Sequence, residues 1–476
     1  MTVIEEINNL IDHKQEHYRK LSDKIWELAE PSYKEHESCK ILQSELKRSK
    51  FTIIDNISNL STAFIAEFGN EKPIIGILGE YDALKGLSQK ANVATQISDS
   101  YTYNGHGCGH NLLGVGSLAA AIAIKECLNK YNLKGTIRFY GCPAEENGHG
   151  KVSMINAGCF KDLDVALSWH PGTQNRVLHL SSTASELISF KFYGKSSHAS
   201  DSPERGRSAL DAVELLDVGL NYLREHIGSR ARVHYSITDS GGDTPNVVQE
   251  HATELCMIRD ESVQSMQQIV ERVKKIALGA AFMTGTRAYY QLQGGTYNLI
   301  PNTVLDAKMF DNLVAFGANK CNEADQKFAK KIFDTFDRFE QKHIISSLSN
   351  LNQQYVATHP IAEWITPFSR QDGFMQPSTD VGDVSWNVPT SRCNTATWAL
   401  GTAYHSWQAV AQGKTSYAVN SMFLAAKVLA ATAIDLFENS NVVNQAKEEW
   451  KLRTSKNLYH SIPVEYSEYK QLREMI

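Results

Sequence analysis

The sequence predicts an α/β protein whose mostly parallel central sheet is covered by helices and which carries an inserted α+β domain. Two observations favour this class. Short apolar runs suited to buried strands alternate with helical patterns in the first third of the chain. From about residue 184 the strands alternate in polarity instead, in a ferredoxin-like β-α-β-β-α-β order. We therefore expect a main domain of residues 1–183 and 298–476 and an inserted domain of residues 184–297.

The elements of the first third follow in order. Apolar runs predict strands, and a helical period predicts helices on either side of them. The predicted strands are Thr62–Phe68, Pro73–Leu78, Gly135–Gly141 and Asp164–His170. The predicted helices are Ile4–Leu28, Leu112–Tyr131 and Lys151–Ala157.

The inserted block has four strand patterns and two long amphipathic helices. The strands are Leu187–Tyr193, Ala231–Thr238, one or two within Val247–Arg259, and Arg287–Leu292. The helices are Ser208–Ile227 and Ser262–Met283. Helical patterns resume at Asn302, Asp380–Gly401 resembles strands and turns, and Tyr417–Phe437 is a strongly apolar helix.

Composition excludes several classes of protein. The chain has 476 residues, which favours two domains, and its net charge of -5 argues against a nucleic-acid binder. No apolar run approaches the ~20 residues of a membrane helix, and the amphipathic N-terminus does not resemble a signal peptide. The eight cysteines are widely spaced, which favours reduced thiols. We expect a cytoplasmic protein without membrane or nucleic-acid partners.

The run Gly105–Asn111 carries the most chemistry. It places Cys108 and His110, both potential metal ligands, on either side of a glycine that lets the backbone bend tightly. A helical segment follows at once and would hold both ligands on a rigid element. The alternative is a glycine-rich turn with a buried cysteine.

Two carboxylate pairs follow predicted strands. Glu80 and Asp82 could bind a metal or orient a ligand histidine, and the alternative is an exposed acidic loop. Adjacent carboxylates such as Glu145 and Glu146 point in different directions, so one can bind a metal while the other moves protons. The alternative for that pair is a solvated acidic turn.

Two histidines complete a set that no single motif defines. His170 ends a predicted strand and His405 follows an apolar run, and either alone is more often structural than a ligand. Taken with the Cys, His and Glu above, they form a five-ligand set with a spare glutamate. That number suits two metal ions with open positions.

These residues resemble a known family. The GCGHN run, the EE pair after a strand, the WHP segment, the inserted block and the late histidine are similar to the binuclear-metal aminoacylase and carboxypeptidase family of metallopeptidases. The similarity is to its amidohydrolase branch, in which a cysteine replaces an acidic ligand. It runs from near the N-terminus to about residue 440.

The resemblance implies a hydrolase that splits an amide between an acyl or aroyl group and an amino acid, such as p-aminobenzoyl-glutamate. It implies one or two divalent ions, manganese or zinc, bound by Cys108, His110, Glu146, His170 and His405. It makes Glu145 the general base and Asp82 a supporting acid. It makes the inserted block a lid and dimerisation domain, in which His198 stabilises the oxyanion and Asn246 and Arg259 contact the substrate.

The chain also departs from the family pattern. The His-x-Asp motif of the wider family is Glu80-Tyr81-Asp82 here, and Asn111 follows CGH where the branch often has aspartate. The resemblance leaves several functions open: an N-acyl amino acid deacylase, a dipeptidase, or a non-catalytic regulatory partner of a related subunit. It implies either a homodimer or a heterodimer with a paralogous subunit.

Overall fold

The computed structural model describes residues 2–146, 149–356, 358–462 and 469–473. Its α-helices are α1 Val3–Asp12, α2 Gln15–Leu28, α3 His36–Arg48, α4 His110–Tyr131, α5 Gly150–Asn156, α6 Ala209–Leu223, α7 Val263–Thr284, α8 Thr303–Phe316, α9 Glu323–Phe333, α10 Arg338–Ser346, α11 Asn350–Val356, α12 Val381–Asn387, α13 Trp407–Gln412, α14 Ser416–Glu438 and α15 Ser440–Thr454. Its strands are β1 Thr52–Asp55, β2 Phe64–Gly69, β3 Ile74–Glu80, β4 Thr136–Cys142, β5 Val165–Gly172, β6 Arg176–Val177, β7 Leu180–Ser182, β8 Ala184–Tyr193, β9 Arg232–Asp239, β10 His251–Asp260, β11 Arg287–Thr296, β12 Gly373–Met375, β13 Thr390–Ala396 and β14 Lys470–Gln471. Short 3-10 turns lie at Ile57–Asn59, Pro203–Arg205 and Arg224–His226.

The chain folds into two compact units. The first contains residues 2–180, 300–373 and 384–458, and the second contains residues 181–299, 374–383 and the described residues from 459 onward. The second unit thus includes two segments that the sequence had assigned to the main domain. They lack the alternating pattern of the inserted strands, so nothing in their composition marks them as part of it.

The first unit is built on a seven-stranded sheet of order β1-β2-β4-β3-β5-β13-β6. Its four central strands, β4, β3, β5 and β13, are parallel, while β1, β2 and β6 pair antiparallel at the edges. The mostly parallel α/β class predicted from the sequence is confirmed. Strands β3, β5 and β13 are buried along their whole length, as expected when helices cover both faces of a sheet.

Helices α4 and α14 pack together in the core of this unit. A Cβ added at Gly114 in α4 would lie only 2.7 Å from the backbone oxygen of Glu80, so a glycine there lets the helix approach β3 closely. Both helices are long and apolar enough to span a membrane by composition alone, but 94% and 89% of their most apolar windows are buried. That degree of burial is typical of core helices.

The second unit contains a five-stranded antiparallel sheet of order β14-β11-β8-β10-β9. Its main elements run in the order β8-α6-β9-β10-α7-β11, and α6 and α7 contact each other and the sheet. Alternate residues of β10 are buried, which is the pattern of a sheet with one covered face.

Three local differences from the sequence predictions have physical causes. The predicted helix Ile4–Leu28 is broken, because the His13 ring bonds the Asn9 carbonyl and ends α1. Helix α4 begins at His110, two residues earlier than its apolar pattern. Residues Val381–Asn387 form a helix where strands and turns were expected, and that expectation was wrong because seven residues are too few to show a helical period.

Candidate metal centre

The carboxyl ends of the parallel strands meet at one edge of the first unit's sheet, where sites collect in open α/β folds. The chain leaves each of these strand ends in a polar segment. All the candidate residues predicted for this unit lie in or beside those segments: Asp82, Cys108, His110, Glu145, Glu146, His170 and His405.

The Cys108–His110 turn depends on the glycine between the two side chains. Gly109 has a left-handed φ of 73° and is the N-cap of α4. A Cβ at this position would also lie 2.9 Å from Pro171 Cγ. Both the dihedral and the close approach therefore require glycine. His405 is tied to the same turn, because its backbone N–H donates to the Gly107 carbonyl at 3.0 Å.

Three groups of side chains each place their potential ligand atoms within 4.8 Å of one another: Cys108, His110 and His170; Cys108, Glu146 and His405; and Glu80, His110 and Glu145. The first two groups share the cysteine. Cys108 Sγ lies 3.4 Å from His170 Nε2, and His405 Nε2 lies 3.0 Å from Glu146 Oε2. Such a mixture of thiol, imidazole and carboxylate groups can hold divalent metal ions.

Two polar atoms in these groups support a bound cation. His110 Nε2 and Glu146 Oε1 are buried, and neither has a hydrogen-bond partner within the described part of the chain. A buried polar atom without a partner costs free energy. A metal ion would accept both atoms as ligands, so the donor set fits the cofactor that the sequence predicts.

Asp82 fixes the orientation of His110. Its Oδ1 lies 2.9 Å from His110 Nδ1, and its Oδ2 accepts hydrogen bonds from Ser32 Oγ and from the Glu146 backbone N–H. Burial opposes the charged form of Asp82, but the His110 contact outweighs it and lowers its pKa. A carboxylate on Nδ1 leaves Nε2 directed at the cluster, as outer partners of metal-binding histidines commonly do.

Glu80 has a partner that the sequence did not suggest. Its Oε1 lies 2.7 Å from Lys151 Nζ, and both side chains are fully buried. Burial opposes the ionised carboxylate, but Lys151, followed by His110 and Arg392, lowers the Glu80 pKa to about 2. Glu80 is thus ionised and neutralised from the side by lysine, while its Oε2 lies 3.3 Å from His110 Nε2.

Glu35 is a second residue that sequence reasoning missed. It is fully buried at the start of α3, and it accepts hydrogen bonds from the backbone N–H of Ala144 at 2.8 Å and from Thr62 Oγ1. Ala144 has a left-handed φ of 55° and precedes Glu145 directly. Burial, followed by the charge of Asp82, raises the Glu35 pKa to about 7. No local motif signals this contact, because 109 residues separate its partners.

Two residues of the Gly105–Asn111 run have structural partners instead. His106 Nε2 lies 3.0 Å from the Ile25 carbonyl, and burial lowers its pKa to about 4. The Asn111 side chain donates to Ser22 Oγ and to the Gly413 carbonyl. Neither belongs to any of the three ligand groups.

The remaining candidates lie in the second unit. His198 is exposed, and its Nδ1 accepts backbone N–H bonds from Ser200 and Asp201. Its neutral ring therefore carries the proton on Nε2. The adjoining Ala199 N–H donates to the Asn246 carbonyl, which brings these two predicted positions together.

Arg259 lies on β10, and its guanidinium donates to Ser378 Oγ. The neighbouring acid Glu261 pairs with Arg230 rather than with Arg259. Among described residues, Arg259 has no ion pair within 4.0 Å. Burial lowers its pKa.

Comparison with known proteins gives one consistent family. The profile of Peptidase family M20/M25/M40 matches residues 76–375. Over 461 residues the chain is 42% identical to one named subunit of the p-aminobenzoyl-glutamate hydrolase of Escherichia coli K12, covering 95% of this chain and 96% of the relative. It is 31% identical to a Xaa-Arg dipeptidase of Mus musculus, covering 63% and 69%, and 27% identical to another named subunit of the Escherichia coli hydrolase, covering 48% and 53%.

The fold has solved counterparts. One is the Bacillus subtilis YXEP protein, described as a dinuclear metal binding peptidase from the M20 family. It superposes with a TM-score of 0.58 at 16% identity, covering 90% of this chain and 99% of the other.

Proposed function

The chain belongs to Peptidase family M20/M25/M40 and is a hydrolase of amide bonds, and we propose that its substrate is an acyl- or aroyl-amino acid, specifically p-aminobenzoyl-glutamate. The observation that carries the proposal is the buried set of ligand groups sharing Cys108, with a second glutamate beside it. The 42% identical relative named for that substrate supports the choice of amide.

Cys108, His110, Glu146, His170 and His405 are the proposed ligands of one or two divalent ions. When bound, these ions would polarise the amide carbonyl and acidify water. A thiolate favours zinc, while carboxylate and imidazole also suit manganese, and we propose one of these two metals. Burial, followed by the Arg392 charge, lowers the His170 pKa, so this imidazole stays neutral as metal binding requires.

Glu145 is the proposed general base. Its Oε2 lies 3.8 Å from His110 Nε2, beside the ligand groups, and the side chain is only slightly exposed. In this role it takes a proton from the attacking water and later delivers it to the leaving amine. Asp82 supports the reaction by holding His110.

The second unit supplies the proposed lid and dimerisation domain. The Nε2–H of His198 would donate to the developing oxyanion. Asn246 and Arg259 would contact the substrate, and the guanidinium suits a carboxylate because it can give two parallel hydrogen bonds. The unmatched charge of Arg259 is consistent with a ligand of opposite sign.

We further propose that the chain acts in the cytoplasm as a homodimer or with a paralogous subunit. The two Escherichia coli relatives are named as different subunits of p-aminobenzoyl-glutamate hydrolase, which supports a partner of related sequence.

The test is hydrolysis of a small panel of amides by the purified single chain, with metal content measured in parallel. Release of glutamate from p-aminobenzoyl-glutamate is the expected result. Faster cleavage of N-acetyl amino acids or of Xaa-Arg dipeptides would favour a deacylase or a dipeptidase. A metal-loaded chain that cleaves none of them would favour a regulatory partner.

A further inference from the structure

Arg392 is a buried cation that none of the roles above employs. It lies on β13 and is only 6% exposed. Its Nε is buried without a hydrogen-bond partner, and no side-chain hydrogen bond or ion pair joins its guanidinium to any residue the structure describes. A buried charge without a partner is strongly unfavourable, so such a group implies an anion that completes the site.

The strand register places Arg392 beneath the ligand cluster. On the parallel pair β5–β13, Asn394 lies opposite His170 and Arg392 lies opposite Ser168. Alternate residues share a face of a sheet, so Arg392 and His170 are on the same face, about 7 Å apart along the strands. Its charge also acts on the site, because it contributes to the lowered pKa of Glu80 and His170.

The nearest carboxylate cannot serve as its counter-ion. Glu80 is already paired with Lys151 at 2.7 Å, so two buried cations share one neutralised acid. The face beneath the site therefore keeps one positive charge. A planar guanidinium matches a carboxylate with two parallel hydrogen bonds, and this geometry favours a carboxylate over a spherical anion.

We propose that Arg392 binds a carboxylate of the amino-acid half of the substrate and product. This inference deepens the proposed function and rests on it for the choice of glutamate. An acyl-glutamate has two carboxylates, and Arg259 in the second unit accounts for only one of them. Arg392 would supply the guanidinium for the other from the catalytic unit itself.

The experiment is calorimetric titration of metal-loaded protein with L-glutamate, which requires no turnover. Arg392→Gln should weaken binding by at least about tenfold, equivalent to about 1.4 kcal/mol. Arg392→Lys should retain part of the affinity, because it keeps the charge but loses the fork. The matched control is Arg176→Gln, which removes an exposed arginine from the neighbouring strand and should bind like the wild type.

A second titrant separates the two halves of the substrate. Affinity for p-aminobenzoate should be the same in the wild type and in Arg392→Gln. Selective loss of p-aminobenzoate binding would overturn the assignment, as would wild-type protein that does not bind L-glutamate. A chain that fails to hydrolyse p-aminobenzoyl-glutamate, yet binds glutamate through Arg392, would refute the proposed function and leave this site standing.

Stability separates a ligand-binding role from a structural one. A cation without a protein partner does not hold the fold together, so ligand-free Arg392→Gln should melt at or above the wild-type temperature. A clear fall in melting temperature would show that Arg392 has a structural partner, and the proposal would then be wrong.

Discussion

At the scale of single residues, Glu145 and Glu146 differ because their surroundings differ. Glu146 contacts His405 and is held by Asp82 through its backbone, whereas Glu145 lies 3.8 Å from His110 Nε2. Glu145→Gln keeps the size and removes the basicity, so we expect kcat to fall by roughly 10²–10⁴ while metal content stays normal. Glu146→Gln is the control and should lose metal. Near-normal turnover by metal-loaded Glu145→Gln would remove Glu145 from the mechanism.

Glu35 acts on the same turn from behind. Its carboxylate holds the Ala144 N–H while that residue is in a left-handed conformation. Glu35→Ala should lower kcat by about tenfold or more with little change in KM, because a displaced general base loses its alignment. Glu35→Gln should restore most of the rate, because an amide oxygen still accepts the Ala144 hydrogen bond and Thr62 Oγ1 can accept from the amide.

A matched control for Glu35 lies nearby. Glu30 also accepts several hydrogen bonds at the start of α3, from the Glu37 and Ser38 backbone and from Ser38 Oγ. Glu30→Ala should therefore reduce stability without a specific loss of kcat. Equal rate losses in Glu30→Ala and Glu35→Ala would mean that Glu35 only supports the helix.

Arg259 tests the specificity of the second unit. Arg259→Lys keeps the charge but loses the two-pronged contact, so KM for p-aminobenzoyl-glutamate should rise by roughly tenfold. The KM of a neutral amide analogue should not change. Arg230→Lys is the control, because its guanidinium pairs with Glu261 on the protein surface. A similar change in KM for both substrates would show that another residue recognises the carboxylate.

At the scale of elements, the sequence predicted the features that repeat along the chain. Buried parallel strands such as β3 and β5 are continuous apolar runs, so they could be recognised without knowing their partners. Helix α12 could not, because its seven residues are too few to display a period. Strand β14 could not either, because two residues carry no pattern.

The same limit applies to the candidate site. Cys108 and His110 were found because ligand-type residues are concentrated in one glycine-rich turn, and the family pattern pointed to His170 and His405. Lys151 and Glu35 were missed because their partners are distant in sequence and are set by packing alone. Arg392 was missed because its significance lies in lacking a partner among described residues, which only coordinates reveal.

The contact between α6 and β10 in the second unit predicts a dependence on pH. Glu254 is fully buried on β10, and burial, together with the charge of Asp217 on α6, raises its pKa to about 8. The folded state therefore holds a proton that the unfolded state releases near pH 4.5. The contribution to stability is complete below about pH 4.5 and is lost as the pH rises through about 8.

Denaturation curves at a series of pH values would measure this effect. Glu254→Gln mimics the protonated acid, so it should flatten the decline in unfolding free energy between about pH 4.5 and 8. Glu250→Gln, which changes an exposed acid just before the same strand, should retain the decline. If the slopes of Glu254→Gln and wild type are the same, Glu254 does not hold a proton in the folded state.

At the scale of the whole molecule, the metal cluster joins distant parts of one chain. Its candidate ligands come from the turn before α4, the segment after β4, the end of β5 and the loop after β13. An unfolded chain cannot present these groups together, so metal binding should stabilise the folded state of the first unit.

Chelation should therefore lower the melting temperature, and returning zinc or manganese should restore it. With free metal at about 100 times its Kd, the expected gain in unfolding free energy is about 2.7 kcal/mol per site. Cys108→Ala should abolish most of that gain, because the cysteine belongs to two of the three ligand groups. Cys39→Ala removes another buried cysteine, one that packs in the hydrophobic core, and should lower the baseline stability but keep the metal-dependent gain. If Cys108→Ala responds to metal as the wild type does, the shared cysteine is not a ligand and the cluster must bind its metal through the histidines and carboxylates alone.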